Sequence, residues 1–491
     1  MAEPKDAAAV VLTRGETKIC WARRSLKLNF LGGWKAFPGG KLEKSDAENI
    51  VKNCSDSELA ALITCAAREC FEETGVLLNR GGEKLTKGQR ASLHDDLLSG
   101  RFTFAEILRH WDLWLDARDF TFVGAWTTPQ FSPVRFKTRF FLATCSPKQE
   151  PFAASGELET VEFIEAAEAL QKWKQGEILC APPILNTLRV FAGSALQSLE
   201  SKAERLLQLA ESEGAHPRKI EFNSHVTVFP VKTLTLPPAT HTNCFIVGRR
   251  EFIVIDAASP FVEEQTVLHE FIDEIVNSGG VCRGIVVSHL HADHTGGETV
   301  LQKHLQSKHN QQVPLVAHRL TAEKLPNIKF DHFLEDGEIF NLQDADGNRF
   351  ALQTLHTPGH ARGHLNFYDA QIGFLISCDN VVGSGSVLIA PPEGNMIDYL
   401  NSLERLKDLP NLRFLCGSHG AAIANAREKI ESYVTHRLER EQNILEAWKG
   451  GAQTISEIVG QVYTDIKPEL RQLAEKSVEA HLEKLQFENK I

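Results

Sequence analysis

His289-Leu290-His291-Ala292-Asp293-His294 places three imidazoles and a carboxylate within six residues. The apolar run 284–287 before it reads as a buried strand, and Thr295-Gly296-Gly297 after it reads as a turn. A strand that opens into a polar loop sets such a cluster at a sheet edge, facing solvent. Neutral imidazole and carboxylate together form the ligand set of a borderline divalent metal, most often zinc. One ion seldom takes four ligands from one short loop, and alternating positions point apart. His289 and His291 therefore read as ligands of one ion, and Asp293 and His294 as ligands of a second. A polar loop of solvated histidines is the competing reading, and it suits a lone histidine better than a cluster this dense.

Further ligands have to come from elsewhere in the same domain. Across 217–420, short apolar strands recur at 227–231, 244–247, 251–255, 284–287, 315–317, 350–355, 373–376 and 414–416. Helical patterns over 263–278 and 398–407 fall between them. Strands with interspersed helices predict a layered α/β domain. Three polar residues follow strand ends: His360 in His356-Thr357-Pro358-Gly359-His360, Asp379 in Ser377-Cys378-Asp379, and His419 in Gly417-Ser418-His419-Gly420.

This set, in this order, resembles the metallo-β-lactamase superfamily. The resemblance implies two Zn2+ ions, one held by His289, His291 and His360 and the other by Asp293, His294 and His419. Asp379 would bridge both, and Asp256 would support the ligand loop from behind. Ser418 stands where the family often has glycine. The implied fold is an αββα sandwich, two sheets face to face with helices outside. Two such ions about 3.5–4 Å apart share a water and lower its pKa toward ~7. Asp293 would then act catalytically by orienting that water or taking its proton. His364 is a candidate proton donor, or else a histidine that steadies the loop. Thr242-Asn243-Cys244-Phe245-Ile246-Val247-Gly248 and the helical tail containing His436-Arg437-Leu438-Glu439 are similar to the lactamase-like endoribonuclease branch, which carries a winged-helix-like tail. Other members of that wider group cleave thioesters or small esters.

A second chemistry lies upstream, in Arg68-Glu69-Cys70-Phe71-Glu72-Glu73-Thr74-Gly75-Val76. On a helix, Glu69, Glu72 and Glu73 share one face. Three such carboxylates repel unless a cation sits among them, and hard oxygen ligands suit Mg2+ or Mn2+. Gly75 should end the helix. The stretch resembles the second half of the Nudix box, whose start fits Phe37-Pro38-Gly39-Gly40. The gap from Gly40 to Arg68 is twice that of the standard box, and Ala60 replaces the usual acid eight residues before Arg68. An insertion over 42–59 is the expected cause. By resemblance Gly40 shapes the metal loop, Arg68 braces the helix, and Glu72 and Glu73 are catalytic. Trp126-Thr127-Thr128-Pro129, the run 135–141, and Gly176-Glu177-Ile178 before Pro182-Pro183 are similar to the acyl-CoA diphosphatase branch.

The 491 residues suggest two or three domains. The expected order is a Nudix-like α/β/α sandwich over 1–195, a helical linker over 196–216, the central domain over 217–420, and a helical winged-helix-like tail over 421–491. Net charge is -11, and no segment is a basic block, which disfavours RNA as a partner. No apolar run reaches the ~20 residues of a membrane span. The ten cysteines form no short-spaced framework, and the amino terminus lacks a signal-like pattern, so the expected compartment is the cytoplasm. The expected function is a metal-dependent hydrolase with two sites. One is a binuclear zinc centre for a small ester or thioester, and the other a Nudix-type diphosphatase for a CoA or nucleoside diphosphate derivative. The alternatives are a single-strand endoribonuclease in the central domain, and a Nudix domain that only binds a ligand and regulates the hydrolase.

Overall fold

Alternation along the strand Lys5–Arg14 organises the first unit. Ala8, Val10 and Leu12 point to one face of the sheet and pack with helix Ser57–Thr74, whereas Val11 points to the other. That second face is covered by helices Ala166–Lys174, Pro182–Ala192 and Leu199–Glu213. Period-two side-chain direction thus yields two cores and an α/β/α sandwich. Lys5–Arg14 pairs with Lys18–Arg24 through the turn at Gly15, and runs parallel to Phe136–Thr144. The computed structural model describes residues 3–28, 30–82, 85–130, 132, 134–154, 156–195, 198–215, 217–383, 385, 387–464 and 466–491. It separates into two compact units, Met1–Asn223 and Ser224–Ile491.

Helix Ser57–Thr74 has explicit start and stop signals. The Asp56 side chain accepts from the Glu58 and Leu59 amides, and Gly75, at φ 67°, closes the last turn on the Phe71 carbonyl. The segment expected as a linker contains a helix that packs on the first unit. In Leu199–Glu213, Ala203, Leu206 and Ala210 are buried, and Ala210 lies against Gly124 so closely that a Cβ there would be 2.1 Å away. Residues 196, 197 and 216 of that segment lie outside the described residues.

In the second unit the sheet falls into two helix-covered halves. The first contains Val226–Lys232, His241–Gly248, Glu251–Ile255, Val281–Val287 and Leu315–Ala317, and its Phe252, Val254, Cys244 and Ile246 pack on helices Val262–Asn277 and Glu298–His309. The second contains Ile339–Gln343, Arg349–His356, Leu365–Asp369, Phe374–Cys378 and Phe414–Gly417, whose Leu355, Tyr368, Leu375 and Leu415 pack on Met396–Lys407 and Ala426–Lys449. A single residue pair, Glu251 with Gln343, joins the halves along one path. The alternate residues Phe245, Ile253, Ile255, Phe367 and Ile376 are fully buried too, so each half is covered on both faces. This is the expected αββα arrangement. The tail follows as helices Ala426–Lys449, Ile455–Val462 and Arg471–Phe487. No helix among the described residues is long and apolar enough to cross a membrane.

Candidate metal centre

Each central-domain candidate sits just beyond a strand. His289, His291, Asp293 and His294 follow Val281–Val287, His360 follows Arg349–His356, Asp379 follows Phe374–Cys378, and His419 follows Phe414–Gly417. Two trios result. His291 Nδ1 lies 3.0 Å from His289 Nε2 and 2.9 Å from His360 Nε2. In the second trio, His419 Nε2 lies 3.5 Å from Asp293 Oδ2, and His294 Nε2 lies 3.9 Å from Asp293 Oδ1. Asp379 stands between them. Its Oδ2 is 3.6 Å from His360 Nε2, while its Oδ1 is 3.5 Å from His294 Nε2 and 3.7 Å from His419 Nε2. All seven sequence candidates therefore converge.

The residues behind the ligands fix which nitrogen faces inward. His360 Nδ1 lies 2.8 Å from the Leu388 carbonyl, and His419 Nδ1 2.9 Å from that of His241. A carbonyl only accepts, so both rings carry a proton on Nδ1 and turn Nε2 inward as the nitrogen left for a metal. Asp256 does the same for His294, with Oδ2 2.8 Å from Nδ1. Asp256 also accepts from the Ser288 hydroxyl at 2.6 Å, which leaves that oxygen to accept from His289 Nδ1 at 3.0 Å. Four inward-facing imidazole nitrogens and two carboxylates fit a cation pair, which would take the place of any proton on those rings. Tetrahedral ligands about 2.0 Å from a zinc ion lie about 3.3 Å apart, close to the spacing of the first trio. His294 Nε2 and Asp379 Oδ1 are buried and lack any hydrogen-bond partner, as expected of atoms shaped for a metal. Asp256 and Cys378 adopt φ of 55° and 41°, so backbone strain flanks the site.

Electrostatics separates the trios. Burial, reinforced by neighbouring imidazoles, lowers His289 and His360 and takes His291 to about 3, so the first trio is neutral. Burial would lower His294 and His419 as well, but the Asp379 charge overrides it and lifts His419 to about 10. Positive charge is stabilised beside Asp379. His364 is fully buried, its Nε2 accepts from the Asp379 amide at 3.1 Å, and its Nδ1 lies 3.2 Å from the Thr357 hydroxyl. Both its ring nitrogens are thereby engaged, one of them on the Asp379 loop. Asp256 and Ser288 show how far the site extends. Asp256 was legible through the resemblance, whereas Ser288 carries no signal beyond adjacency to His289.

In the first unit, the Nudix-like residues gather where Gly39–Lys41 meets helix Ser57–Thr74. A Cβ on Gly40 would lie 2.4 Å from the Glu69 carboxylate, so a larger residue there would have to displace that carboxylate. The Gly39 amide donates to Glu73 Oε2 at 3.0 Å. Arg68 Nη1 donates to Glu69 and Glu72, each at 2.9 Å. Its acidic partner is Asp46, bound through Nε at 2.8 Å and Nη2 at 3.0 Å, with both side chains buried. The acid absent at Ala60 is thus supplied by Asp46. The expected insertion over 42–59 needs correcting at its start, because Asp46 belongs to the box and the extra residues follow it. An acid six residues after Gly40 was the available signal. Burial raises Glu69 to about 7 and Glu73 to about 8. Desolvated carboxylates of this kind fit a divalent cation.

Comparisons with known proteins follow the same division. A family model for the metallo-beta-lactamase superfamily matches residues 237–419, one for the NUDT19 Nudix domain matches 52–191, and one for the beta-lactamase associated winged helix domain matches 454–491. A beta-lactamase-like protein 2 homolog of Caenorhabditis elegans is 28% identical over 50% of this chain and 78% of its own. An atrochrysone carboxyl ACP thioesterase of Pseudocercospora fijiensis is 28% identical over 42% of this chain and 55% of its own. Among solved structures, a NUDIX hydrolase from Alicyclobacillus acidocaldarius is 29% identical over 42% of this chain and 97% of that one, with a TM-score of 0.36.

Proposed function

We propose, for a chain that is a fusion of a Nudix domain, a metallo-β-lactamase domain and a lactamase-associated winged helix, that the central hydrolase site is a binuclear zinc centre cleaving a small ester or thioester. The observation that carries this is Asp379, which turns one oxygen toward each trio. His289, His291 and His360 would hold one ion, Asp293, His294 and His419 the other, with Asp379 shared. When bound, such a pair lowers the pKa of a shared water toward about 7 and polarises the scissile carbonyl. Asp293 would take the proton of the attacking water. Asp256, Leu388 and His241 keep the imidazoles in the required tautomers, and His364 keeps the Asp379 loop in place.

Thr235 reaches His419 Nε2 at 3.4 Å, and its neighbours Leu234 and Leu236 are exposed. The thioesterase similarity supports the same substrate class. In the first unit Glu69, Glu72 and Glu73, with Gly40 shaping the loop and Arg68 bracing the helix, would hold Mg2+ or Mn2+ for hydrolysis of a diphosphate of the CoA or nucleotide type. Its test is parallel turnover of an acyl thioester, a small ester and short single-stranded RNA by the zinc-loaded chain. Thioester cleavage lost in His291→Ala is the expected result. Efficient RNA cleavage at physiological salt, without thioester turnover, would replace this reading with the endoribonuclease.

A further inference from the structure

A second group of imidazoles lies outside the site already described. Helix Val262–Asn277 carries His269 and Asp273 one turn apart, and helix Glu298–His309 carries His304, Lys308 and His309. Asp273 Oδ1 receives His304 Nε2 at 2.8 Å and His309 Nε2 at 2.5 Å, while Lys308 Nζ sits on Oδ2 at 2.7 Å. These three ligand atoms lie within 4.8 Å of one another. We infer that Asp273, His304 and His309 bind a further divalent transition ion, of the zinc class, that pins the helix following the 289–294 loop to its neighbour.

Residue type, burial and charge all bear on this assignment. Two imidazoles and a carboxylate are a borderline ligand set, and three protein ligands leave a fourth position for water. Side-chain exposure is 9% at Asp273, 10% at His309 and 22% at His304, so the group is sheltered yet open on one side. Lys308 engages only Oδ2, which keeps the carboxylate ionised and leaves Oδ1 to the ion. His269 stacks on His304 at 4.4 Å and fixes that ring. Burial and the neighbouring His304 lower His269 to about 4, so it adds no charge. Widening the trio from its present spacing to the ~3.3 Å of tetrahedral ligands takes shifts of under about 1 Å. Ligation through Nε2 requires each ring to carry its proton on Nδ1.

The test uses the full chain, stripped by chelator, reloaded with Zn2+, desalted and analysed for metal. His304→Asn/His309→Gln should hold one ion fewer per chain than the unmodified protein, and should keep its thioester or ester turnover. Equal metal content in the two proteins would overturn the assignment. Lys308→Met keeps all three ligands and removes the competing ammonium. It should retain the extra ion against chelator at least as well as the unmodified chain, and earlier release would also overturn the assignment. This second arm holds if the double variant fails to fold.

Discussion

Arg68 and Asp46 show how one residue pair carries a site across an insertion. Both are buried, and Arg68 also steadies Glu69 and Glu72. Asp46→Ala leaves a buried guanidinium without its bidentate partner. It should destabilise the first unit by about 3 kcal/mol and abolish Mg2+-dependent diphosphatase activity, whereas Asp46→Asn should retain more of the fold. Thermal unfolding and turnover of the same preparations check this, and an unaltered activity in Asp46→Ala would refute the bracing role. Asp379 poses the complementary case in the second unit. Removal of a supporting residue behind a metal ligand costs about 10–100-fold in affinity or activity. Asp379→Ala touches both trios and should cost more than that, with metal content falling at both. Loss of a single ion with the other retained would show that it does not bridge. The candidate ligands of the central domain were legible because each is a polar residue at the end of an apolar strand. Asp46 was missed although it lies six residues after Gly40, because the inserted residues that follow it separate it from Arg68 in sequence.

At the scale of elements, legibility followed periodicity. The strand Leu315–Ala317 matches its sequence range residue for residue, and helix Leu199–Glu213 fills most of the helical segment expected over 196–216. The strand Ile339–Gln343 was not anticipated, since it is half-exposed and has little apolar contrast. Helix Glu298–His309 was hidden by a polar face, three of its residues being buried. The tail helices are joined by a polar contact that no periodicity reveals. Glu441 on Ala426–Lys449 accepts from Lys484 on Arg471–Phe487 at 2.7 Å, and His481 faces it at 3.6 Å. Burial would raise Glu441, but the neighbouring His481 ring and the Lys484 hydrogen bond override that and bring it down to about 2. A depressed carboxylate adds stability above its unfolded value near 4.5 and loses it as pH falls toward about 2. The tail should therefore lose stability between about pH 4.5 and pH 2, and Glu441→Gln should flatten that slope. At neutral pH the variant should cost about 2 kcal/mol, the loss of one charged hydrogen bond, because Glu488 still accepts from Lys484. A slope unchanged in Glu441→Gln, followed by far-ultraviolet circular dichroism, would assign the acid sensitivity elsewhere.

For the whole molecule, the two chemistries occupy separate compact units with different ligand types. The Nudix carboxylates are hard oxygen donors that suit Mg2+ or Mn2+. The central trios are mostly imidazole and suit zinc. Metal demand should therefore divide the activities. A chelator selective for transition metals should silence the central hydrolase and leave a Mg2+-supported diphosphatase running. Glu72→Gln or Glu73→Gln should do the reverse. Glu73 makes the cleaner probe, because its carboxylate already accepts from the Gly39 amide, so glutamine at this position keeps one hydrogen bond and loses the charge that draws the cation. The activity ratio in each variant, measured on one preparation, reads the outcome without assuming a natural substrate. Both activities vanishing together in a folded Glu73→Gln chain would mean that the two units act as one catalyst.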